Sequence, residues 1–164
     1  KQWKKVQENE YRFLVNDVSE AEIIFKPNTI SSEAEVKIGD KKYLIARKGF
    51  WKSNIEITDE NDLVVLSVQP EKWYSNAWNV TLGNQSYSLK IHNNPLAEYV
   101  LMEDGNPVLA YGLKTQDSKP FTQITASKEL DTLLADCLLW YLFVPIAISN
   151  TSDDLLTMFL LSVG

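Results

Sequence analysis

WNVTLGNQSYSLKIH, residues 78–92, consists of two alternating segments joined by a turn. In the second segment, Tyr87, Leu89 and Ile91 point to one side and the polar residues between them point to the other. This alternation has the two-residue period of a half-buried β-strand. The Gly-Asn pair between the segments is typical of a tight turn, so the stretch predicts a β-hairpin.

The same signals continue on both sides of this hairpin, over residues 1–126. Alternating segments include EYRFLV, AEIIF, KYLIAR and NIEIT, and the continuous apolar run LVVLSV is typical of a strand that is covered on both faces. Clusters of Gly, Asn, Asp and Pro, such as IGDKK, DENDL, HNNPL and EDGNP, separate these segments. Short strands at a spacing of about ten residues predict a meander that closes into a barrel or folds into a sandwich.

An internal repeat without gaps runs through this β region at an offset of 44 residues. Under that shift Tyr43 falls on Tyr87, and the turn at Asn61 falls on the turn at Gly105. We therefore predict that one β module was duplicated and that its two copies superpose. Chance agreement between two β-rich stretches is the alternative.

The pattern changes after residue 126, where Ser127 is a plausible N-cap and helical spacing begins. Every residue in 137–148 is apolar, so a helix over about 128–148 must be deeply buried or lie in a membrane. Pro145 interrupts this apolar run, which is shorter than the ~20 residues that span a bilayer. We predict a helix enclosed by the β structure, followed by a short apolar element over 153–163. The residues expected to be buried are Leu134, Leu138, Tyr141 and Leu142.

Composition indicates one globular domain over 1–164, since no linker-like stretch divides the chain. The net charge of −6 and the isoelectric point near 4.8 exclude the basic field on which non-specific nucleic-acid binding depends. Cys137 has no partner for a disulfide, and KQWKKVQENEY has no apolar signal-peptide segment. We expect an intracellular, cytoplasmic protein, with peripheral membrane attachment as a further expectation.

Catalytic and cofactor signatures are missing from the sequence. It contains no nucleophile elbow, phosphate-binding glycine loop or complete EF-hand loop, and its single histidine, His92, and single cysteine are too few for a zinc site. The carboxylate pair Asp59–Glu60 lies in an expected hairpin turn, where such residues commonly set the turn. We therefore predict a protein that is not an enzyme and has no cofactor.

The order of motifs resembles the tubby C-terminal-like superfamily, which includes tubby domains, LURP-one-related proteins and phospholipid scramblases. The resemblance rests on WNVTLGNQSYSLKI, ITDENDLVVLS, LMEDGNPVLAYG and the terminal apolar helix, and it covers roughly 36 to 148. It implies a closed antiparallel barrel of about twelve strands that encloses a hydrophobic helix. Tubby domains bind phosphoinositides through basic surface residues, but no motif carries those residues onto this chain. The chain also departs from the family in its acidic charge and in its extra residues after the helix.

One basic segment, residues 37–52, stands out in this acidic chain, because its local net charge is +5 while the remaining residues sum to −11. Alternation along KKYLIARK places its charges at the two ends of one strand. Basic residues beside aromatic ones suit an anionic lipid headgroup, such as a phosphoinositide, at a membrane surface. Protection of a strand edge against aggregation is the alternative. The candidate binding residues are Lys41, Lys42, Arg47, Lys48, Trp51 and Lys52.

Four aromatic residues, Trp51, Trp73, Tyr74 and Trp78, either stack on a ligand or pack in the core and the barrel mouth. The core interpretation is the one we expect. The function that these patterns favour is a non-enzymatic intracellular module for binding or scaffolding. An enzyme of unrecognised type, and a membrane-attached protein anchored by the apolar C-terminal segments, remain as alternatives.

Overall fold

The fold was determined from a computed structural model that describes residues 1–27, 33–93, 96–127, 130 and 132–150, and the backbone of 159–162. Its elements are β1 (Gln2–Gln7), β2 (Glu10–Val15), β3 (Val18–Phe25), β4 (Glu33–Ile38), β5 (Lys41–Lys48), β6 (Asn54–Asp59), β7 (Val64–Pro70), β8 (Ala77–Leu82), β9 (Gln85–His92), β10 (Glu98–Glu103), β11 (Asn106–Gln116), β12 (Lys119–Ala126), α1 (Leu134–Asn150) and β13 (Phe159–Ser162).

The strands form one sheet in which β1 to β12 follow chain order and pair antiparallel with their neighbours. These twelve strands make a nearly closed barrel, and β13 adds to β12 in parallel. The predicted class, a mostly β barrel of about twelve antiparallel strands with a C-terminal helix, is confirmed. Gly39 and Gly83 have φ values of 58° and 57° in two-residue turns, where glycine adopts the left-handed conformation without strain.

The up-and-down order sorts the turns into two ends of the barrel. Turns that follow even-numbered strands lie at the end where the helix begins, because Leu130 and Thr132 border the same surface pockets as Asp40 and Gly83. Turns that follow odd-numbered strands lie at the other end, towards which the helix runs. We call these the helix-entry end and the helix-exit end.

The helix fills the core of the barrel, as predicted. Leu134, Leu138 and Tyr141 are buried, whereas Leu142 is only half-buried and packs at the margin of the core. Because residues around the whole circumference of α1 meet strand side chains, an all-apolar sequence is what this position requires. No helix among the described residues is both long and apolar enough to cross a membrane.

The helix begins later than expected. It starts at Leu134 rather than near 128, although β12 ends at Ala126 as expected, and Leu130 and Thr132 border pockets at the helix-entry end before it begins. Ser127 is not the N-cap: its hydroxyl donates to the carbonyl of Pro107 at 2.7 Å. The hydroxyl of Thr132 instead accepts a hydrogen bond from the N–H of Leu134 at 3.2 Å. At the C-terminal side the helix continues to Asn150, two residues beyond the expected end at 148.

The element expected over 153–163 overlaps β13, and its remaining residues lie outside the described part of the chain. Residues 128, 129 and 131, which belong to the expected first turn of the helix, also lie outside the described part of the chain.

A chain of buried polar groups links three elements of the core. The indole N–H of Trp3 on β1 donates to the hydroxyl of Tyr111 on β11 at 3.0 Å, and that hydroxyl donates to Oδ1 of Asp136 on α1 at 2.8 Å. All three side chains are almost fully buried. Loss of solvation raises the pKa of Asp136, an effect that the hydrogen bond from Tyr111 opposes. Trp3 also stacks on Trp140, with 5.4 Å between ring centroids.

Three of the four strand pairs in the expected repeat share their spacing, whereas β7, which begins at Val64, and β11, which begins at Asn106, differ in length and do not keep it. Strands β4, β5 and β6 have the same lengths as β8, β9 and β10, and each begins 44 residues before its counterpart. A β-bulge interrupts the pairing of β6 with β7 after Ile57, and another interrupts the pairing of β10 with β11 after Leu101. These two bulges are also 44 residues apart.

Candidate functional site

The turn between β5 and β6 presents two aromatic side chains to solvent. The N–H of Lys52 donates to the carbonyl of Gly49 at 3.1 Å, which closes a four-residue turn with Phe50 and Trp51 at its centre. Gly49 and Lys52 both have positive φ, 85° and 50°. Central turn residues have no neighbouring strand to pack against, so Phe50 is 90% exposed and Trp51 is 83% exposed.

The turn between β7 and β8 repeats this arrangement. The N–H of Ser75 donates to the carbonyl of Lys72 at 3.0 Å, with Trp73 and Tyr74 at the centre of the turn. Trp73 is 93% exposed and Tyr74 is 67% exposed. The hydroxyl of Ser75 accepts a hydrogen bond from the N–H of Ala77 at 3.1 Å, which ties the turn to the start of β8. We call residues 49–52 and 72–75 the aromatic turns.

Each aromatic turn holds its two rings in an edge-to-face pair. The centroids of Phe50 and Trp51 are 4.9 Å apart at an interplanar angle of 89°, and those of Trp73 and Tyr74 are 5.3 Å apart at 88°. Edge-to-face contact is a favoured geometry for aromatic rings, so each pair is a preformed unit. Both turns follow odd-numbered strands and lie at the helix-exit end, two strand spacings or about 10 Å apart.

Lysines flank the aromatic turns. Lys48 and Lys52 bracket the first turn, and Lys72 begins the second, with its ammonium 6.0 Å from the centroid of Tyr74. The electrostatic field of Lys48 and Lys52 reaches Glu33 at the start of β4. The pKa of Glu33 is lowered mainly by its 2.7 Å hydrogen bond from Lys26, and the positive charges of Lys48 and Lys52 lower it further.

Arg47 lies behind the first aromatic turn, inside the mouth of the barrel. Alternation along β5 turns its side chain to the same side as the buried Ile45, and its guanidinium carbon is 5.8 Å from the ring centroid of Tyr141 on the helix. Burial raises the pKa of Tyr141, and the neighbouring Arg47 opposes that shift. Arg47 thus connects β5 to the helix close to the aromatic turns.

The structure does not bring the six predicted binding residues together. Four of the six lie at the helix-exit end, namely Arg47, Lys48, Trp51 and Lys52. Lys41 and Lys42 lie at the helix-entry end, about 20 Å away along β5. The two groups lie at opposite ends of β5, where the alternation along KKYLIARK places them, so they do not form one continuous site.

The expectation that the four aromatic residues pack in the core or at the barrel mouth is wrong for three of them. Trp78 is half-buried and packs against the core from β8, as expected. Trp51, Trp73 and Tyr74 are exposed because they occupy turns rather than strand ends. Lys72 was not predicted as a site residue. The available signal was the pattern of two adjacent aromatic residues next to a lysine, which occurs at both turns.

The other residues that we considered as candidates for catalysis or metal binding are explained by their places in the fold. Oδ1 of Asp59 accepts hydrogen bonds from the N–H groups of Asn61 at 2.8 Å and Leu63 at 3.0 Å, so it sets the turn as predicted. Cys137 is fully buried, and loss of solvation raises the pKa of its thiol well above the usual value. His92 is exposed at the end of β9.

Comparison of the chain with known proteins found no match to a family model, to a curated protein or to a solved structure. Within the residues that the structure describes, no group of three or more His, Cys, Asp or Glu side chains is placed to hold a metal ion.

Proposed function

We propose that this chain is a non-enzymatic binding module that docks on an anionic lipid surface through the aromatic turns. The observation that carries the proposal is the clustering of Phe50, Trp51, Trp73 and Tyr74 on two adjacent turns at one end of the barrel. Large exposed aromatic residues in a contiguous group mark a contact surface, because water solvates them poorly.

The residue types favour a lipid interface. Tryptophan and tyrosine are enriched where apolar chains meet polar headgroups, since their rings are amphipathic. Each lysine near an anionic membrane contributes about 1 kcal/mol, so Lys48, Lys52 and Lys72 together contribute about 3 kcal/mol. The net charge of −6 for the whole chain makes this local basic group necessary for binding an anionic surface.

The resemblance to the tubby C-terminal-like superfamily supports the same proposal. A barrel around an apolar helix is the architecture that the resemblance implies, and tubby domains bind phosphoinositides. We propose membership of that superfamily and anionic lipid headgroups, phosphoinositides among them, as the ligand class. The basic residues proposed here are those beside the aromatic turns.

Co-sedimentation with vesicles tests the proposal. We expect binding to vesicles that contain phosphatidylserine or a phosphoinositide, weak binding to pure phosphatidylcholine, and loss of binding as salt rises. The double variant Lys48→Glu/Lys52→Glu should bind about 30-fold more weakly or worse, because at least two attractive charges are lost.

The matched control is Lys41→Glu/Lys42→Glu, which reverses the same charge at the helix-entry end of the same strand. We expect this control to change vesicle affinity less than threefold. Equal losses in the two double variants would mean that net charge alone governs binding. Absence of binding to anionic vesicles at low salt would end the proposal.

We also propose that the region from β4 to β11 arose by duplication of one β module. The shared lengths of three strand pairs, β4 with β8, β5 with β9 and β6 with β10, and the equal spacing of the two bulges support this origin. Sequences of close relatives test it, since a duplication predicts that the 44-residue spacing is kept without insertion. Relatives in which that spacing varies freely would count against it.

A further inference from the structure

We infer that the aromatic turns penetrate the interface of the bilayer and that the barrel stands on its helix-exit end, with the helix axis along the membrane normal. The inference rests on the proposed function and states how the surface is engaged. It goes beyond charge attraction, which would leave the protein on top of the headgroups in many orientations.

The positions of rings and charges in the aromatic turns favour penetration. Phe50 and Trp51 are the central residues of their turn, while Lys48 is the last residue of β5 and lies two residues behind them. Gly49, at a φ of 85°, turns the chain between Lys48 and the rings, and the long side chain of a lysine lets its ammonium group stay in the headgroup region while a neighbouring ring lies deeper. With the lysines at the level of the phosphates, the rings therefore reach the boundary between headgroups and acyl chains, which is the depth that interfacial aromatic residues occupy.

Further apolar residues at the same end extend this surface beyond the two turns. Leu96, next to the start of β10, and Ile148, in the last turn of α1, are each 39% exposed. The aromatic turns, the segment before β10 and the end of the helix are separate points around the barrel rim. A rim that touches the bilayer at several points fixes the orientation of the barrel axis.

The opposite end of the barrel is unsuited to an anionic surface. Its turns and strand ends carry more carboxylates than basic residues, which include Lys1, Lys41 and Lys42. These carboxylates include Asp17, Asp40, Asp59, Glu60, Asp62 and Asp104. Repulsion of this end by anionic lipid leaves the helix-exit end as the docking face.

A second copy of the chain is a less suitable occupant of the aromatic turns. A two-fold dimer would place the same patch on both partners, so Lys48, Lys52 and Lys72 of one copy would face the same lysines of the other. An anionic bilayer complements those charges instead. The charges of the aromatic turns therefore favour a bilayer over a second copy.

Fluorescence quenching by brominated lipids measures the penetration directly. The full chain has five tryptophans: Trp51 and Trp73 are at the docking face, Trp78 is half-buried at the start of β8, and Trp3 and Trp140 are in the core. In anionic vesicles we expect lipids brominated near the headgroup end of the acyl chain to quench wild-type emission. The variant Trp51→Phe/Trp73→Phe should lose most of that quenching while it still binds.

Vesicle affinity gives an independent readout. Trp51→Ala and Trp73→Ala should each weaken binding to anionic vesicles about tenfold, since each removes a ring that is partly withdrawn from water. The control Leu63→Ala truncates a side chain that is 63% exposed at the helix-entry end and should leave affinity unchanged.

Orientation is tested with polarity-sensitive labels on introduced cysteines, because the native Cys137 is buried. A label on Ser53→Cys should shift to the blue on binding, and one on Asn84→Cys at the opposite end should not. Vesicle binding without quenching or a label shift would overturn penetration and leave the proposed function standing. Absence of binding would overturn both penetration and the proposed function. Self-association that is lost in Trp73→Ala would show that a second copy of the chain, and not the bilayer, occupies the aromatic turns.

Discussion

Replacing Tyr111 by phenylalanine tests the buried polar chain of the core. The substitution keeps the ring and removes one oxygen, which accepts from Trp3 at 3.0 Å and donates to Asp136 at 2.8 Å. Both partners are buried, so each is left without that hydrogen bond in a place that water does not readily reach.

The expected cost follows from those two losses. A buried polar group deprived of its partner costs about 1–3 kcal/mol, so we expect the free energy of unfolding to fall by about 3 kcal/mol. For a chain of this size each kcal/mol lowers the melting temperature by roughly 2–4 °C, which corresponds to a decrease of about 6–12 °C. Urea denaturation followed by circular dichroism measures the free energy, and calorimetry measures the melting temperature.

The matched control is Tyr74→Phe, the same chemical change on a side chain that is 67% exposed. We expect it to alter stability by less than about 0.5 kcal/mol, because water replaces any lost contact. A cost below about 1 kcal/mol for Tyr111→Phe, or equal costs for the two variants, would refute the view that this chain of hydrogen bonds holds β1 and β11 to the helix.

Three further predictions concern stability. Because burial raises the pKa of Asp136, the folded state holds a proton that the unfolded state releases, so wild-type stability should fall as pH rises from about 4 through that raised pKa, and Asp136→Asn should abolish this component in urea titrations. A pH dependence that is unchanged in the variant would contradict the assignment. Leu138→Ala, at a fully buried helix position, should cost about 2–5 kcal/mol by urea denaturation, and a cost below 1 kcal/mol would contradict close packing. Asp59→Ala should cost about 1 kcal/mol, because two N–H groups of the turn lose their acceptor, whereas Glu60→Ala beside it should have little effect.

The local features of the fold were predictable because they depend on near neighbours in sequence. Alternation such as that of Tyr87 and Leu89 reports a pleated strand with one buried face. The apolar run in 137–148 had to be hidden, and the barrel interior is where it lies. The helix start was less predictable, because Ser127, the expected N-cap, bonds to Pro107 on β11, and Thr132 accepts the hydrogen bond from the first turn instead.

The candidate site depended on relations that sequence patterns do not contain. The separation of Lys42 from Lys48 along one strand was predictable from the alternation of KKYLIARK, but the neighbours of each end were not. Trp51 and Trp73 belong to different loops and become neighbours only because β5 to β8 pair in order. The contact between Tyr111 and Asp136 likewise joins β11 to the helix. The periodicity of the sequence predicted which apolar residues face the core. It did not predict which apolar residues a turn would expose to solvent.

Hydrogen–deuterium exchange of the full chain, with and without phosphatidylserine vesicles, tests the docking claim most directly. With binding verified by co-sedimentation, we predict slower exchange in peptides that cover residues 48–53 and 71–76 and unchanged exchange in the turns at 39–40 and 60–63. Protection of the helix-entry turns, with the aromatic turns unaffected in the bound protein, would contradict the account.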